Sequence, residues 1–312
     1  MSFEKLNALG KERKPFLFIS DFLGEHIEVF PLDTLKKEDI EFCIDAKYIY
    51  KEHPHTFKTN PVDFQSYREK FTQVIEKICS GETYILNLTQ PTKIHTPLTL
   101  KEIYTLANAH YKLRFKEKFV CFSPEKFISI EDDTIHTYPM KGTIDASLNN
   151  AEAKILANQK EMAEHVMIVD LLRNDLSIVA KDVKVEQFRY IQSIDAGEKK
   201  LLQVSSHISG KLLSDWHENI GTILKNLLPA GSISGAPKKS TLEIIKQVEG
   251  YERGYFSGIF GVYDGTTLDS GVMIRFIEKT DKGYIYKSGG GITLDSDVGL
   301  EYNELQEKIY LP

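Results

Sequence analysis

Two pairs of acidic residues carry the spacing of a metal or charge site. Glu161 and Glu164 lie three apart at the head of Glu161–Ala180, EMAEHVMIVDLLRNDLSIVA, and Glu301 and Glu304 repeat that spacing near the end of the chain. On a helix, residues three apart share a face. His165 stands beside the first pair, and Lys308 follows Glu304 by one turn. The run Val166, Met167, Ile168, Val169, Leu171, Leu172 predicts that the first helix is buried rather than superficial. Carboxylates on a buried helix are costly unless a positive charge offsets them. Mg²⁺, a hard ion with oxygen ligands, would do so, and two such pairs make a four-carboxylate cup for one ion. Mn²⁺ suits the same oxygens. The alternative for the first pair is a solvated acidic edge ending in a helix stop at Arg173-Asn174-Asp175.

Lys141 sits between Met140 and Gly142 in Pro139-Met-Lys-Gly-Thr143, where local backbone rather than a helix aims the side chain. A lysine nucleophile must be neutral, so its pKa has to fall well below the ordinary value of about 10.4. The alternative is an exposed loop lysine. Glu125, in Ser123-Pro-Glu between two apolar segments, is a candidate acid then base if burial raises its pKa; otherwise it is a turn carboxylate. Two glycine runs, Gly231-Ser-Ile-Ser-Gly235 and Gly289-Gly290-Gly291, could close their amides on an anion, or could be simple turns. Neither fits a nucleotide motif: Ala236 stands where the P-loop needs glycine, and there is no G-x-G-x-x-G. A carboxylate fits better, with Arg275 able to clamp it bidentately.

The elements that must position these residues read as many strands with helices between them. Strands are expected at Phe16–Ser20, His26–Phe30, Tyr84–Gln90, Phe119–Phe122, Phe127–Ile130, Thr134–Tyr138, Val183–Phe188 and Leu201–Ile208. Phe64, Tyr67, Phe71, Val74, Ile75 and Ile78 predict a helix over Asn60–Ser80, stopped by Gly81. Helices are also expected near Leu98–His110, Asn149–Leu172, Trp216–Leu227 and Thr241–Val248. Asp264-Gly265 predicts a hairpin joining Phe256–Tyr263 to Leu268–Glu278, and Asp281-Lys-Gly283 a second turn. The sum is an α+β fold with a large antiparallel sheet core, two packed sheets and helices outside. Residues 1–60 are expected to form a short strand-rich segment on a catalytic domain spanning 61–312; His53 and His55 read as a polar loop.

At 312 residues the chain can bury a full core as one domain or two. A net charge of −6 without basic runs argues against nucleic acid. No apolar stretch approaches the ~20 residues of a membrane span, and no signal-peptide pattern opens the chain, so a cytoplasmic protein is expected. Cys43, Cys79 and Cys121 are odd in number and scattered, which predicts reduced core cysteines.

Taken in order, PMKGT, EMAEHVMIVDLLRND, GSISGAPKKSTLEII, GVMIR, GGGITLDSD and EYNELQEK resemble the chorismate-utilising enzymes over roughly Pro61–Pro312, with support from SPEKF and YILNLTQ. The resemblance implies the two-sheet fold, chorismate as substrate and Mg²⁺ as cofactor. Lys141 matches the lysine of PIKGT in the aminodeoxychorismate synthase component I branch, where anthranilate synthases typically have alanine. Ile85 stands where water-adding members have an activating lysine. In that branch the lysine attacks ring carbon C2, the residue matching Glu125 helps the C4 hydroxyl leave, and ammonia from a separate glutamine amidotransferase adds at C4. The product, 4-amino-4-deoxychorismate, leads to para-aminobenzoate and folate. The resemblance further implies that Glu164 and Glu304 hold the metal with Glu161 and Glu301 behind them, and places Thr143, Arg275, Gly289, Gly290, Gly291 and Lys308 on the substrate. Gln203 replaces a histidine thought to assist pyruvate loss in anthranilate synthases, His207 is out of register, and Phe256 replaces a usual tyrosine. The short region before Asn60 puts the tryptophan pocket of longer relatives in doubt. Alternatives are an anthranilate synthase component I and a non-catalytic Mg²⁺-dependent binding subunit.

Overall fold

The computed structural model describes residues 2–44, 57–196 and 199–311, so the expected loop at His53 and His55 lies outside the described residues. Phe16–Ser20 shows why the chain forms stacked layers. All five of its residues are buried. Side chains alternate between the faces of a strand. Phe16 and Phe18 join a cluster with Ile168, Leu172 and Leu224 from helices, while Leu17 and Ile19 join one with Leu113, Phe115 and Phe119 from another sheet. An uninterrupted apolar run is thus a strand with a helix layer on one side and a sheet on the other.

Among the described residues one sheet runs Met140–Asp145, Lys199–Lys211, Thr134–Thr137, Lys126–Glu131, Leu268–Val272, Ile259–Tyr263, Phe16–Ser20, Ile27–Pro31, and Lys181–Ala196 also pairs with Lys199–Lys211. The other runs Gly235–Ala236, Ile85–His95, Gly283–Ile292, Phe276–Thr280, Phe119–Ser123, Tyr111–Phe115, Ile40–Cys43, with Lys58–Asn60 on Ile85–His95. The pairings are antiparallel. Outside the second sheet, Phe64–Cys79 and Lys238–Glu249 pack Tyr67, Phe71, Val74, Ile244 and Val248 onto Leu86, Leu88 and Ile292. Two packed antiparallel sheets with outer helices are therefore the architecture.

Local differences from the expected elements have physical causes. The expected single helix over Asn149–Leu172 is two, Ala151–Ala157 and Gln159–Val179, because Asn158 leaves the helix to accept a hydrogen bond from the Glu161 amide at 3.1 Å. The second helix is not buried all round: Glu164, His165, Ile168, Val169, Leu172 and Leu176 form its inner face, while Val166 is exposed. The expected strand Leu268–Glu278 breaks at Met273–Arg275, where the chain leaves one sheet and enters the other. Two-faced burial makes such a crossing indistinguishable from a continuous apolar strand. The first sixty residues also hold a helix, Ser2–Lys11, with Leu6 fully buried, and their strands belong to both sheets. Cys121 is buried and Cys43 half-buried, but Cys79 is exposed at the end of Phe64–Cys79, so it is not a core residue.

Gly235 is the tightest joint. Its φ is +129°, and an added Cβ would stand 2.0 Å from the Ile85 carbonyl oxygen, whereas Gly81, also left-handed at +76°, meets nothing within 4 Å. Gly81→Ala should cost about 1–2 kcal/mol, the left-handed penalty alone. Gly235→Ala adds a backbone overlap and should cost at least about 3 kcal/mol. Urea unfolding of the two variants measures the difference.

Candidate active site

Lys141 is placed by an irregular strand. Met140–Asp145 pairs with Lys199–Lys211 at Met140↔Ser205 and Thr143↔Gln203, three steps on one strand against two on the other. That extra residue is a β-bulge, which bends a strand and re-aims a side chain. Gly142 absorbs the bend at φ +81°. The bulge sends the Lys141 ammonium to Glu164, where Nζ donates to Oε2 at 2.6 Å.

The two acidic helices do meet here. Lys160 Nζ lies 3.9 Å from Glu164 Oε1 and 3.3 Å from Glu301 Oε1, linking buried carboxylates from Gln159–Val179 and Val298–Glu307. Ser296 also donates to Glu301 Oε1 at 2.8 Å. Lys308 Nζ is 2.6 Å from Glu304 Oε1 and donates to the Gly289 carbonyl at 2.8 Å. Glu161 borders the bulge, with Oε2 3.3 Å from where a Gly142 Cβ would stand. Burial pushes the Glu161 carboxyl up, and Glu164 and Glu304 add to it. Among the described residues no three His, Cys, Asp or Glu side chains stand as a closed metal cage. Ammonium groups stand between the carboxylates instead.

Glu125 closes the opposite side. Its amide donates to Ser123 Oγ at 3.1 Å, and Ser232 Oγ donates to its Oε1 at 2.7 Å. Ser232 comes from Gly231–Ser234, a single helical turn, where the sequence left an anion-binding loop and a simple turn open. Burial pushes the Glu125 carboxyl up, against the lowering influence of Ser232, Lys141, Lys308 and Arg275. A raised carboxyl can hold a proton to donate near neutrality.

The expected glycine loop at Gly289, Gly290 and Gly291 is extended strand, opposite Thr89, Leu88 and Asn87. Its other edge pairs only as far as Phe276↔Lys287, which leaves the glycine backbone bordering the cavity. Smallness matters as much as amides here. A Cβ on Gly290 would stand 3.4 Å from Glu301 Oε2 and 3.7 Å from both Glu304 Oε1 and Lys308 Nζ; one on Gly291 would stand 3.6 Å from Lys141 Nζ. Arg275 sits at the sheet-to-sheet crossing with φ +51°, its guanidinium 5.2 Å from the Tyr310 ring centre.

Glu125, Lys141, Thr143, Arg275, Gly289, Gly290, Gly291, Glu304 and Lys308 all line one cavity of about 260 Å³. Glu161, Glu164 and Glu301 do not line it. The lining carries more positive than negative groups, with Lys287 added, which suits a small diacid. Asn87 Oδ1 and Gln203 Oε1 are buried without a hydrogen-bond partner and border the same space, so it also offers acceptors for hydroxyl or amine donors. Phe256, buried on the wall, offers no such group. His165 faces away, bonded through Nε2 to Ser206 at 2.7 Å, and His207 pairs with His136 at 3.0 Å.

One expectation is reversed. Burial favours a neutral Lys141, but Glu164, with Glu161 and Glu304 farther out, outweighs it, and the amine is held above its ordinary range. As it stands, Lys141 is an ammonium ion. Lys160 and Ser232 went unnoticed in the sequence. The i,i+4 spacing of Lys160 to Glu164 could have signalled the first; nothing local marks the second.

Residues 46–311 match the family of chorismate binding enzymes. A Haemophilus influenzae protein described as an uncharacterized PabA-like protein is 49% identical across 99% of this chain and 95% of its own. Aminodeoxychorismate synthase component 1 of Escherichia coli is 32% identical across 78% of this chain, which spans 56% of that longer protein. Among solved structures, the menaquinone-specific isochorismate synthase MenF of Escherichia coli superposes with a TM-score of 0.73 at 17% identity, over 97% of this chain and 79% of its own. Anthranilate synthase component I of Streptococcus pneumoniae gives 0.68 at 24%, over 82% and 59%. With its motifs gathered around one cavity and a family match over most of its length, this chain belongs to the chorismate-binding enzymes.

Proposed function

We propose that this enzyme aminates chorismate to 4-amino-4-deoxychorismate, using ammonia delivered by a glutamine amidotransferase partner. The observation that carries the reading is the pairing of Lys141 and Glu125 in one cavity. A potential nucleophile and a carboxyl raised by burial border the same space, beside cationic groups for a diacid. Relatives named aminodeoxychorismate synthase component 1 at 32% identity support the same assignment.

In this reading Lys141 Nζ attacks C2, the ring double bonds shift, and the C4 hydroxyl leaves as water with a proton from Glu125. Ammonia then adds at C4, the double bonds shift back, and the lysine amine is expelled. Arg275, Lys308 and the backbone at Gly289, Gly290 and Gly291 hold the pyruvyl carboxylate, and Thr143 borders the ring. Lys141 must first shed its proton, which burial favours and the neighbouring carboxylates oppose. The buried carboxylates of Glu164 and Glu301, already drawn to one cation in Lys160, with Glu161 and Glu304 beside them, fit a divalent ion in chemistry and setting. When bound, Mg²⁺ would supply charge that neutralises these carboxylates and a fixed electrophilic point for the ring carboxylate. Gln203 carries no titratable proton, which suits a product that keeps its enolpyruvyl group.

Purified chain with chorismate, Mg²⁺ and an ammonium salt should yield a product whose mass retains that group; its loss would mark an anthranilate synthase. Lys141→Ala should lower amination by roughly three orders of magnitude. Without ammonia, the intact wild-type chain should gain the mass of chorismate less water, and the variant should not. Equal amination by the variant would exclude the lysine intermediate.

The raised Glu125 carboxyl makes a separate prediction about stability. A carboxyl raised on folding helps stability below its unfolded value of about 4.3, and that help is lost as pH rises through the folded value. Glu125→Gln has no such dependence. The Tm of the variant minus that of wild type should therefore rise between pH 4 and pH 8, and a flat difference would show the carboxyl is not raised.

A further inference from the structure

Lys160 stands where the two acidic helices meet, and the mechanism above gives it no task. Its ammonium touches Glu301 and Glu164, whose side chains are only 6% and 7% exposed, while its own is 37% exposed. The glutamates are fixed. Glu301 Oε1 is also held by Ser296, and Glu164 Oε2 by Lys141. Lys160, already partly in water, is the least buried of the groups in this contact and the one free to move outward. A divalent ion taking the Lys160 position between Glu164 and Glu301 displaces that ammonium, since like charges at such close range repel strongly.

We infer that Lys160 is a tethered occupant of the cation position: it holds the carboxylates of the two helices together until a divalent ion arrives, swings into solvent when one binds, and thereby sets how tightly the ion is held. This rests on the cation reading given above. Only molecules with Lys160 swung out can take the ion, so the apparent Kd is the intrinsic Kd divided by that fraction. Occupancy of about nine molecules in ten would weaken binding about tenfold. Removing the ammonium should relieve this, and should also leave the buried Glu301 carboxylate without its counter-ion, with Glu164 held by Lys141 alone, when no metal is present.

The test is titration of Mn²⁺ into the purified chain and its K160Q and K160R variants, with free Mn²⁺ read by electron paramagnetic resonance and unfolding followed with and without the ion. K160Q should bind Mn²⁺ about tenfold more tightly than wild type, and K160R, which keeps the charge, close to wild type. Without metal K160Q should melt below wild type, and Mn²⁺ should raise its Tm more. If wild type binds Mn²⁺ and K160Q binds it equally or less well, the tethering is wrong and the cation reading stands. If neither binds Mn²⁺, both fall.

Discussion

The contact between Lys141 and Glu164, 2.6 Å long and largely out of water, governs the rest of the site. It joins the strand that carries the proposed nucleophile to the helix that carries the acid pair. A buried carboxylate of this kind needs a positive partner, and Glu164 has two, Lys141 and Lys160, the second shared with Glu301. The same pairing keeps Lys141 charged. Stability and reactivity therefore pull in opposite directions at one oxygen atom, and whatever neutralises Glu164 tilts the balance toward reactivity.

The fold serves this contact through departures from regularity. A bulge at Lys141 and Gly142 turns the lysine, and a left-handed residue at Arg275 carries the chain from one sheet to the other beside the cavity. One helical turn brings Ser232 onto Glu125. Residues held in sparsely populated backbone regions gather at functional sites because the surrounding structure must hold them there. Here the surrounding structure is two full sheets and their helices.

The three consecutive glycines show how a correct residue can be read for an incomplete reason. Gly289, Gly290 and Gly291 suggest an anion-binding turn, yet they form flat strand whose missing side chains let Glu301, Glu304, Lys308 and Lys141 approach the backbone. Their place on the cavity was legible from type and neighbourhood. Their conformation was not, because glycine permits turn and strand alike.

Much was legible in the chain itself. Spacings of three and four residues name the Phe64–Cys79 helix, since burial on one face imposes that period, and a short unbroken apolar run names the strand Phe16–Ser20, buried on both faces. Lys141, Glu125 and the four glutamates were likewise readable as candidates. Distance in space was not. That Glu164 and Glu301 reach one ammonium, that Ser232 meets Glu125, and that Leu268–Val272 and Phe276–Thr280 lie in different sheets depend on contacts between residues far apart in sequence. The charge state of Lys141 belongs with these, because an ionisable group answers to the burial and charges around it, and only the folded chain assembles them.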